Sequence, residues 1–304
     1  MKRLLALLLL SACGGALPVK PAVPHAGVRD AGIVDAGVSV TEDAGVTETD
    51  AGGITEPFDA GPPRCTVTDT AITCTPRIDR VESRDVYWQT PALRPPAAGF
   101  PAVIVFQGSL YAPSSTWNTV QVTAAYGGYQ QARMQALLLE RGFTVIAPSA
   151  LNGFAWQTNT TFDWDASSDK AFIDAVLAKM RAGDFGPIDT TRLYATGISS
   201  GGYMTSRMAL SWPGVFRALA IHSASWATCG GTFCAVPTTM PAGHPPTRFL
   251  HGRLDLTVPL YTAEPYEQRL RAQGFQADLI VNDSAGHEWL AVSPERITEW
   301  FESH

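Results

Sequence analysis

From about residue 100 onward, short apolar runs alternate with stretches in which apolar residues return every three or four positions. Ala102-Val103-Ile104-Val105-Phe106 contains no polar side chain, the pattern of a strand buried on both faces. Phe143 to Ala147, Arg192 to Thr196, Arg217 to Ile221, Thr247 to Leu250 and Ala277 to Val281 read as further strands. Between them, residues 168–182 place Phe172, Ile173, Val176, Leu177 and Met180 on one helical face. Helices near 130–141 and 263–273 stop at Gly142 and Gly274, residues suited to the left-handed turn beyond a helix end. A last helix starts at Ser293-Pro294, with Ser293 as N-cap and Pro294 in the first helical position. Residues 65–90 hold β-prone pieces, Thr66-Val67-Thr68 and Asp85-Val86-Tyr87-Trp88, and read as an opening antiparallel hairpin. Strands alternating with helices predict an α/β fold, a mostly parallel sheet with helices on both faces.

The first 63 residues follow other rules. Lys2 and Arg3 precede the apolar run Leu4 to Leu10, which is too short to span a bilayer. Leu10-Ser11-Ala12-Cys13, followed by two glycines, resembles the lipobox of bacterial lipoproteins. That resemblance implies a signal peptide over 1–12, a lipid on Cys13 that anchors the chain to a membrane, and Cys13 as the first mature residue. The other reading is an ordinary signal peptide cut nearby. Residues 13–63 carry Asp-Ala-Gly at Asp30, Asp35, Asp43, Asp50 and Asp59, with Phe58 as the one aromatic residue. Such a segment cannot bury enough apolar surface to offset its ordering entropy, and the irregular spacing does not suit a calcium-binding repeat, so it is expected to be a disordered tether. A catalytic domain is then expected over 64–304.

Composition narrows the class further. A hydrophobic fraction of 45% supports a sizeable core, and a net charge of −6 without a basic face argues against a nucleic-acid partner. Beyond Cys13, four of the five cysteines form two local pairs, Cys65–Cys74 and Cys229–Cys234. An exported protein, envelope-anchored or extracellular, would let each pair close as a disulfide; the alternative is four free thiols. Neither pair has Cys-x-x-Cys spacing, so no metal site is expected. Nothing in the pattern speaks to oligomeric state.

Gly197-Ile198-Ser199-Ser200-Gly201 follows one predicted strand and leads into a helical stretch. A G-x-S-x-G match is weak alone, but strand, turn and helix together are the setting of the nucleophile elbow of α/β-hydrolases, with Ser199 as nucleophile. A serine hydroxyl needs a base. Of six histidines, His25 lies in the tether and His304 is the last residue; His244 sits among prolines and glycines, and His222 reads as a core residue or a support. His287, in the Gly-bounded loop after the last predicted strand, is the expected base. His251 is the runner-up, read instead as a structural partner of the acid loop. Asp255 lies between serine and histidine in chain order, past the C-terminal end of a strand where sites of parallel sheets gather, and is the expected acid. The oxyanion hole needs two backbone N–H groups; Ser200 follows the nucleophile and Ser109 lies in the loop after strand 102–106. Trp156, Trp164, Trp226 and Trp289, with Tyr126, Phe154 and Phe162, fall in or near loops at that end. Trp156, Trp226 and Trp289 are the candidate substrate contacts, with loop packing as the other reading.

With these residues placed, the chain resembles the secreted polyhydroxyalkanoate depolymerase and feruloyl esterase group of α/β-hydrolases over about residues 95–302. The resembling stretches are Val103 to Gly108, Ala171 to Ala175, Tyr194 to Gly202, His251 to Pro259 and Gly286 to Trp289. The Gly197-Ile198-Ser199-Ser200-Gly201 variant most resembles depolymerases of medium-chain-length polyhydroxyalkanoates. The resemblance implies a secreted serine esterase that cleaves polyester or related acyl esters through an acyl-enzyme, with no cofactor. A carbohydrate esterase removing feruloyl or acetyl groups is the alternative. A peptidase, and a non-catalytic binding protein on the same fold, fit less well; the complete triad opposes the latter. Relatives usually carry His-Gly after the first central strand, so Gln107 is a departure; it is read as a substrate contact, and a contribution of its side-chain amide to the oxyanion hole stays open.

Overall fold

The computed structural model describes residues 61–158 and 163–304. The expected signal peptide over 1–12, Cys13, nearly all of the expected tether over 13–63, and Phe162 lie outside the described residues.

The apolar run becomes β5 (Phe100–Phe106), every residue of which is buried. Its side chains alternate between two cores. Val103 and Val105 face one, where α1 (Gly128–Glu140) contributes Leu138 and Leu139, and α5 (Ser293–Glu302) contributes Ile297 and Phe301. Ala102, Ile104 and Phe106 face the other, with Phe172, Ile173 and Val176 of α2 (Ser168–Ala182) and Met204 and Met208 of α3 (Ser200–Ser211). A strand enclosed this way must be apolar on both sides, which is why its sequence lacks the two-residue alternation of a half-exposed strand.

Around β5 runs an eight-stranded sheet in the order β11-β10-β9-β8-β5-β7-β4-β3. Its members are β3 (Arg77–Val81), β4 (Arg84–Gln89), β7 (Thr144–Pro148), β8 (Ile188–Ile198), β9 (Phe216–His222), β10 (Thr247–Gly252) and β11 (Ala277–Asn282). From β7 to β11 all neighbours pair in parallel; β4 pairs antiparallel with β7, and β3 with β4. The chain leaves β5 toward β7 and then returns to β8 on the other side of β5. That reversal opens a crevice at the strand C-termini between β5 and β8, the place where open parallel sheets bind ligands.

Several expected elements are adjusted. Residues 65–90 form two hairpins rather than one. β1 (Cys65–Val67) and β2 (Ala71–Cys74) pair with each other and with β6 (Asn118–Gln121) in a separate small sheet, while β3 and β4 edge the large one. Pro76 lies between the hairpins and has no N–H to extend a ladder. Cys65 and Cys74 sit opposite each other and are bridged, as are Cys229 and Cys234. β8 begins at Ile188, four residues before the expected start at Arg192, and its first five residues are half-buried or exposed and so lack an apolar signal. α2 has the expected bounds, with Ser167 Oγ accepting Asp169 N–H at 3.1 Å and Gly183 left-handed beyond its end. Ser293, expected as an N-cap, is instead the first residue of α5; Val292 takes the cap position without a side-chain bond, and Pro294 falls one place further in. The Ser293 hydroxyl is used elsewhere, 2.9 Å from His222 Nε2.

One buried ion pair ties the sheet edge to a helix. Arg84 of β4 meets Asp169 of α2, with side chains 5% and 0% exposed, and the other Asp169 oxygen accepts the Gln157 N–H at 2.6 Å. Asp169→Ala would leave a buried guanidinium without its partner and an amide without its acceptor. Urea unfolding of that variant should show a loss of about 3–5 kcal/mol; a change below about 1 kcal/mol would mean that the pair has no structural weight.

Candidate active site

Four strand ends deliver the site: the ends of β5, β8, β10 and β11 carry loops with Gln107 to Leu110, Ser199, Asp255 and His287 respectively. At the end of β8 the backbone turns so sharply that Ser199 takes φ 56° and ψ −121°. A non-glycine residue at positive φ is strained, and such strain collects at functional turns. The neighbouring glycines explain how the turn closes. A Cβ on Gly197 would lie 2.6 Å from Gly201 O, and one on Gly201 would collide with the carbonyls of Phe106 and Gln107. Ser199 N–H donates to His222 O at 3.0 Å, which fixes the turn against β9.

His287 and Asp255 meet directly, Nδ1 to Oδ2 at 2.7 Å. The other carboxylate oxygen accepts the N–H groups of Thr257 at 2.9 Å and Val258 at 2.8 Å. Burial alone would raise the Asp255 pKa, but the His287 hydrogen bond and the Val258 N–H outweigh it, so the carboxyl lies below its ordinary value and stays ionised. The two loops are stitched together by backbone bonds, Leu254 N–H to Ala285 O at 2.9 Å and Arg253 N–H to Asn282 O at 2.8 Å. His251 does not face the crevice. Its Nε2 donates to Val258 O at 2.7 Å and lies 3.6 Å from Asp255 Oδ2, so it braces the acid loop from below.

His287, its Nδ1 engaged by Asp255, lines a cavity of about 220 Å³ that Ser199 also lines. Leu110, Tyr111, Tyr126 and Trp289 complete its walls. A second cavity of about 550 Å³ meets the first at Ser109, Ser199 and Thr257, and is walled by Leu151, Phe154, Trp156 and Tyr203. No Lys, Arg, Asp or Glu lines either cavity among the described residues. Ser109 lines both, and its N–H has no hydrogen-bond partner among the described residues. Ser200 opens α3, where the first N–H groups of a helix have no intrahelical acceptor. Its hydroxyl accepts the Trp156 N–H at 2.8 Å.

Two expected contacts lie elsewhere. Gln107 is buried and fully engaged: Oε1 accepts the Ala150 N–H at 3.0 Å and Nε2 donates to Gly153 O at 3.0 Å. Its amide is therefore consumed in holding the 150–153 turn, and it lines neither cavity. Trp226 is buried against Tyr266, with ring centroids 5.0 Å apart, in the core beneath the site. Trp164 likewise packs on Trp212 and Arg207. Trp156 and Trp289 do line the cavities, although each is nearly buried. The sequence reading missed Leu110, Tyr111, Leu151, Asn152, Tyr203 and Thr257. Tyr203 had a signal, since it follows Ser199 by one helical turn and so shares its face. Leu110 and Asn152 had none, for each reaches the site through a positive φ, 63° and 55°.

His222 links these parts. Its ring is buried, and Nε2 accepts the Leu290 N–H at 3.1 Å, which places the ring proton on Nδ1, 3.2 Å from Ser223 Oγ. Trp289 packs on the imidazole at 4.8 Å between centroids.

A poly(3-hydroxyoctanoate) depolymerase of Pseudomonas fluorescens is 42% identical over 250 residues, which is 80% of this chain and 89% of that one. The pattern of the prolyl oligopeptidase family matches residues 129–228. Among solved structures, dipeptidyl peptidase 4 of Porphyromonas gingivalis superposes with a TM-score of 0.52 at 15% identity, over 76% of this chain and 35% of that one. An acylaminoacyl peptidase of Pyrococcus horikoshii gives 0.51 at 14% identity, over 75% and 40%. This chain thus spans well under half the length of those two peptidases, and at such identity the likeness is one of fold, the α/β-hydrolase fold.

The buried histidines make stability depend on pH. Burial lowers the pKa of His222 well below the ordinary value, lowers that of His251, and brings that of His244 down to about 4. Unfolded, each titrates near roughly 6.5. Below that pH the unfolded chain binds protons that the folded chain refuses, so stability complete at higher pH is lost as pH falls. Each histidine contributes up to about 1.4 kcal/mol per pH unit until its folded pKa is reached. Asp255, with its folded pKa depressed, adds its loss only below roughly pH 4. Urea midpoints should therefore drop between pH 7.5 and pH 5; equal midpoints would contradict the buried, neutral state of these rings.

Proposed function

Because this chain belongs to the family of the Pseudomonas fluorescens poly(3-hydroxyoctanoate) depolymerase, a family of carboxylic ester hydrolases, we propose that it cleaves polyhydroxyalkanoate-type polyester with Ser199, His287 and Asp255 as its triad. The observation that carries this reading is the convergence of Ser199 and His287 on one small cavity, with Asp255 ionised behind the imidazole. The uncharged walls suit a neutral ester with hydrocarbon side chains.

In this reading Ser199 Oγ attacks the ester carbonyl carbon as its proton passes to His287 Nε2. The carbonyl π electrons move to oxygen, where the N–H groups of Ser109 and Ser200 receive the negative charge. Asp255 holds the imidazolium through Nδ1. When the tetrahedral centre collapses, the ester C–O bond breaks, the departing alkoxide takes the proton from His287, and an acyl-Ser199 remains. Water, deprotonated by His287, then attacks the acyl carbon; Ser199 leaves as its alcohol and the product as a carboxylic acid.

The chain is read as exported, with a signal peptide over 1–12, a lipid on Cys13, a tether over 13–63 and the catalytic domain over 64–304. Two bridged cysteine pairs support an oxidising compartment.

Ser199→Ala should lower the hydrolysis rate by on the order of 10⁶ without loss of fold; retention of even about a tenth of the activity on p-nitrophenyl octanoate or polyester film would refute the nucleophile. Ferulate or acetate released from xylan, without film clearing, would assign the same triad to a carbohydrate esterase. Intact-mass analysis of the native protein should find Cys13 at the mature N-terminus with acyl mass added, and an unmodified Cys13 inside the mature chain would remove the anchor.

A further inference from the structure

Two cavities meet at the nucleophile, and only one of them is lined by the base. The cavity of about 220 Å³ contains His287; the cavity of about 550 Å³ contains Ser200 and no histidine. Attack at Ser199 gives a carbon with four substituents: Ser199 Oγ, the oxyanion, the leaving oxygen and the acyl carbon. The oxyanion is assigned to the Ser109 and Ser200 N–H groups. The leaving oxygen must receive the proton that His287 holds, so it has to lie within hydrogen-bond reach of the imidazole. The acyl carbon takes the remaining direction, away from His287.

We propose that the two cavities divide the scissile ester. The smaller one, walled by Leu110, Tyr111, Tyr126 and Trp289, holds the departing hydroxyacyl unit. The larger one, walled by Leu151, Phe154, Trp156 and Tyr203, holds the acyl unit and its hydrocarbon side chain. This assignment rests on the triad reading above. It makes Phe154 and Leu110 separate determinants of specificity, one for each side of the bond. Both are well exposed at 62% and 72%, so each can be truncated without opening the core. The loops that carry them are joined by the backbone, Leu110 N–H to Phe154 O at 2.7 Å, and side-chain truncation leaves that bond in place.

The division is tested by varying one side of the ester at a time. One series holds p-nitrophenol constant and extends the acyl chain from acetate to octanoate. The other holds acetate constant and extends the alcohol from ethanol to octanol, with acid release followed by pH-stat. Phe154→Ala should lower the octanoate-to-acetate ratio of kcat/KM by roughly tenfold while the alcohol series keeps its slope within about twofold. Leu110→Ala should do the reverse, by a similar factor. An opposite crossing, a parallel change of both series in both variants, or no change in either ratio would overturn the assignment. Ser199→Ala measured on the same esters separates the two levels. Hydrolysis that survives it removes the triad and this division together, whereas a failed crossing in an enzyme that needs Ser199 removes only the division.

Discussion

One buried histidine, through its carbonyl and its ring, holds the candidate site in register. The His222 main-chain carbonyl receives the Ser199 N–H, and its ring receives the Leu290 N–H and contacts the Ser293 hydroxyl. Thus the end of β9 fixes the Ser199 turn, the chain just beyond the candidate base and the start of α5 through a single residue. The Leu290 bond requires a lone pair on Nε2, so it holds only while the ring is uncharged, and burial favours that state. The cost of burying a polar ring is met by giving both nitrogens partners.

Around that anchor the site is assembled from backbone under strain. Leu110, Tyr126, Asn152 and Ser199 all adopt positive φ, and all four line the two cavities. Three of the four, Leu110, Tyr126 and Ser199, are tied to distant backbone. Leu110 N–H bonds Phe154 O, and Trp289 N–H bonds Tyr126 O at 2.9 Å. Strain of about 1–3 kcal/mol per residue persists only where such contacts leave no alternative. The layered cores on both sides of β5 supply the rigidity against which these turns are held.

Much of this was legible from the chain alone, for identifiable reasons. β5 announced itself because a strand covered on both faces has no polar position, and α2 because its apolar residues return on one helical face. Ser199, Asp255 and His287 could be singled out because each lies just past the C-terminal end of a strand in a parallel sheet. What escaped depends on long-range or backbone detail. The pairing of β2 with β6 joins segments more than forty residues apart, with no local signal. Trp226 reads as a loop aromatic until Tyr266 is seen against it. Positive φ at a leucine leaves no trace in composition.

Gln107 was expected at the substrate and is instead a strut. By gripping Ala150 N–H and Gly153 O, it joins the loop that carries Ser109 to the turn that walls the larger cavity. Trp156 Nε1–H bonded to Gln107 O at 3.2 Å adds a second tie. The wall and the loop of Ser109 are thereby tied together. If the Ser109 amide receives the oxyanion and the larger cavity takes the acyl chain, as proposed, a chain too broad for that cavity would displace wall and amide together. Poor fit would then be felt as slow turnover more than as weak binding, at the moment when Ser199 adds to the carbonyl.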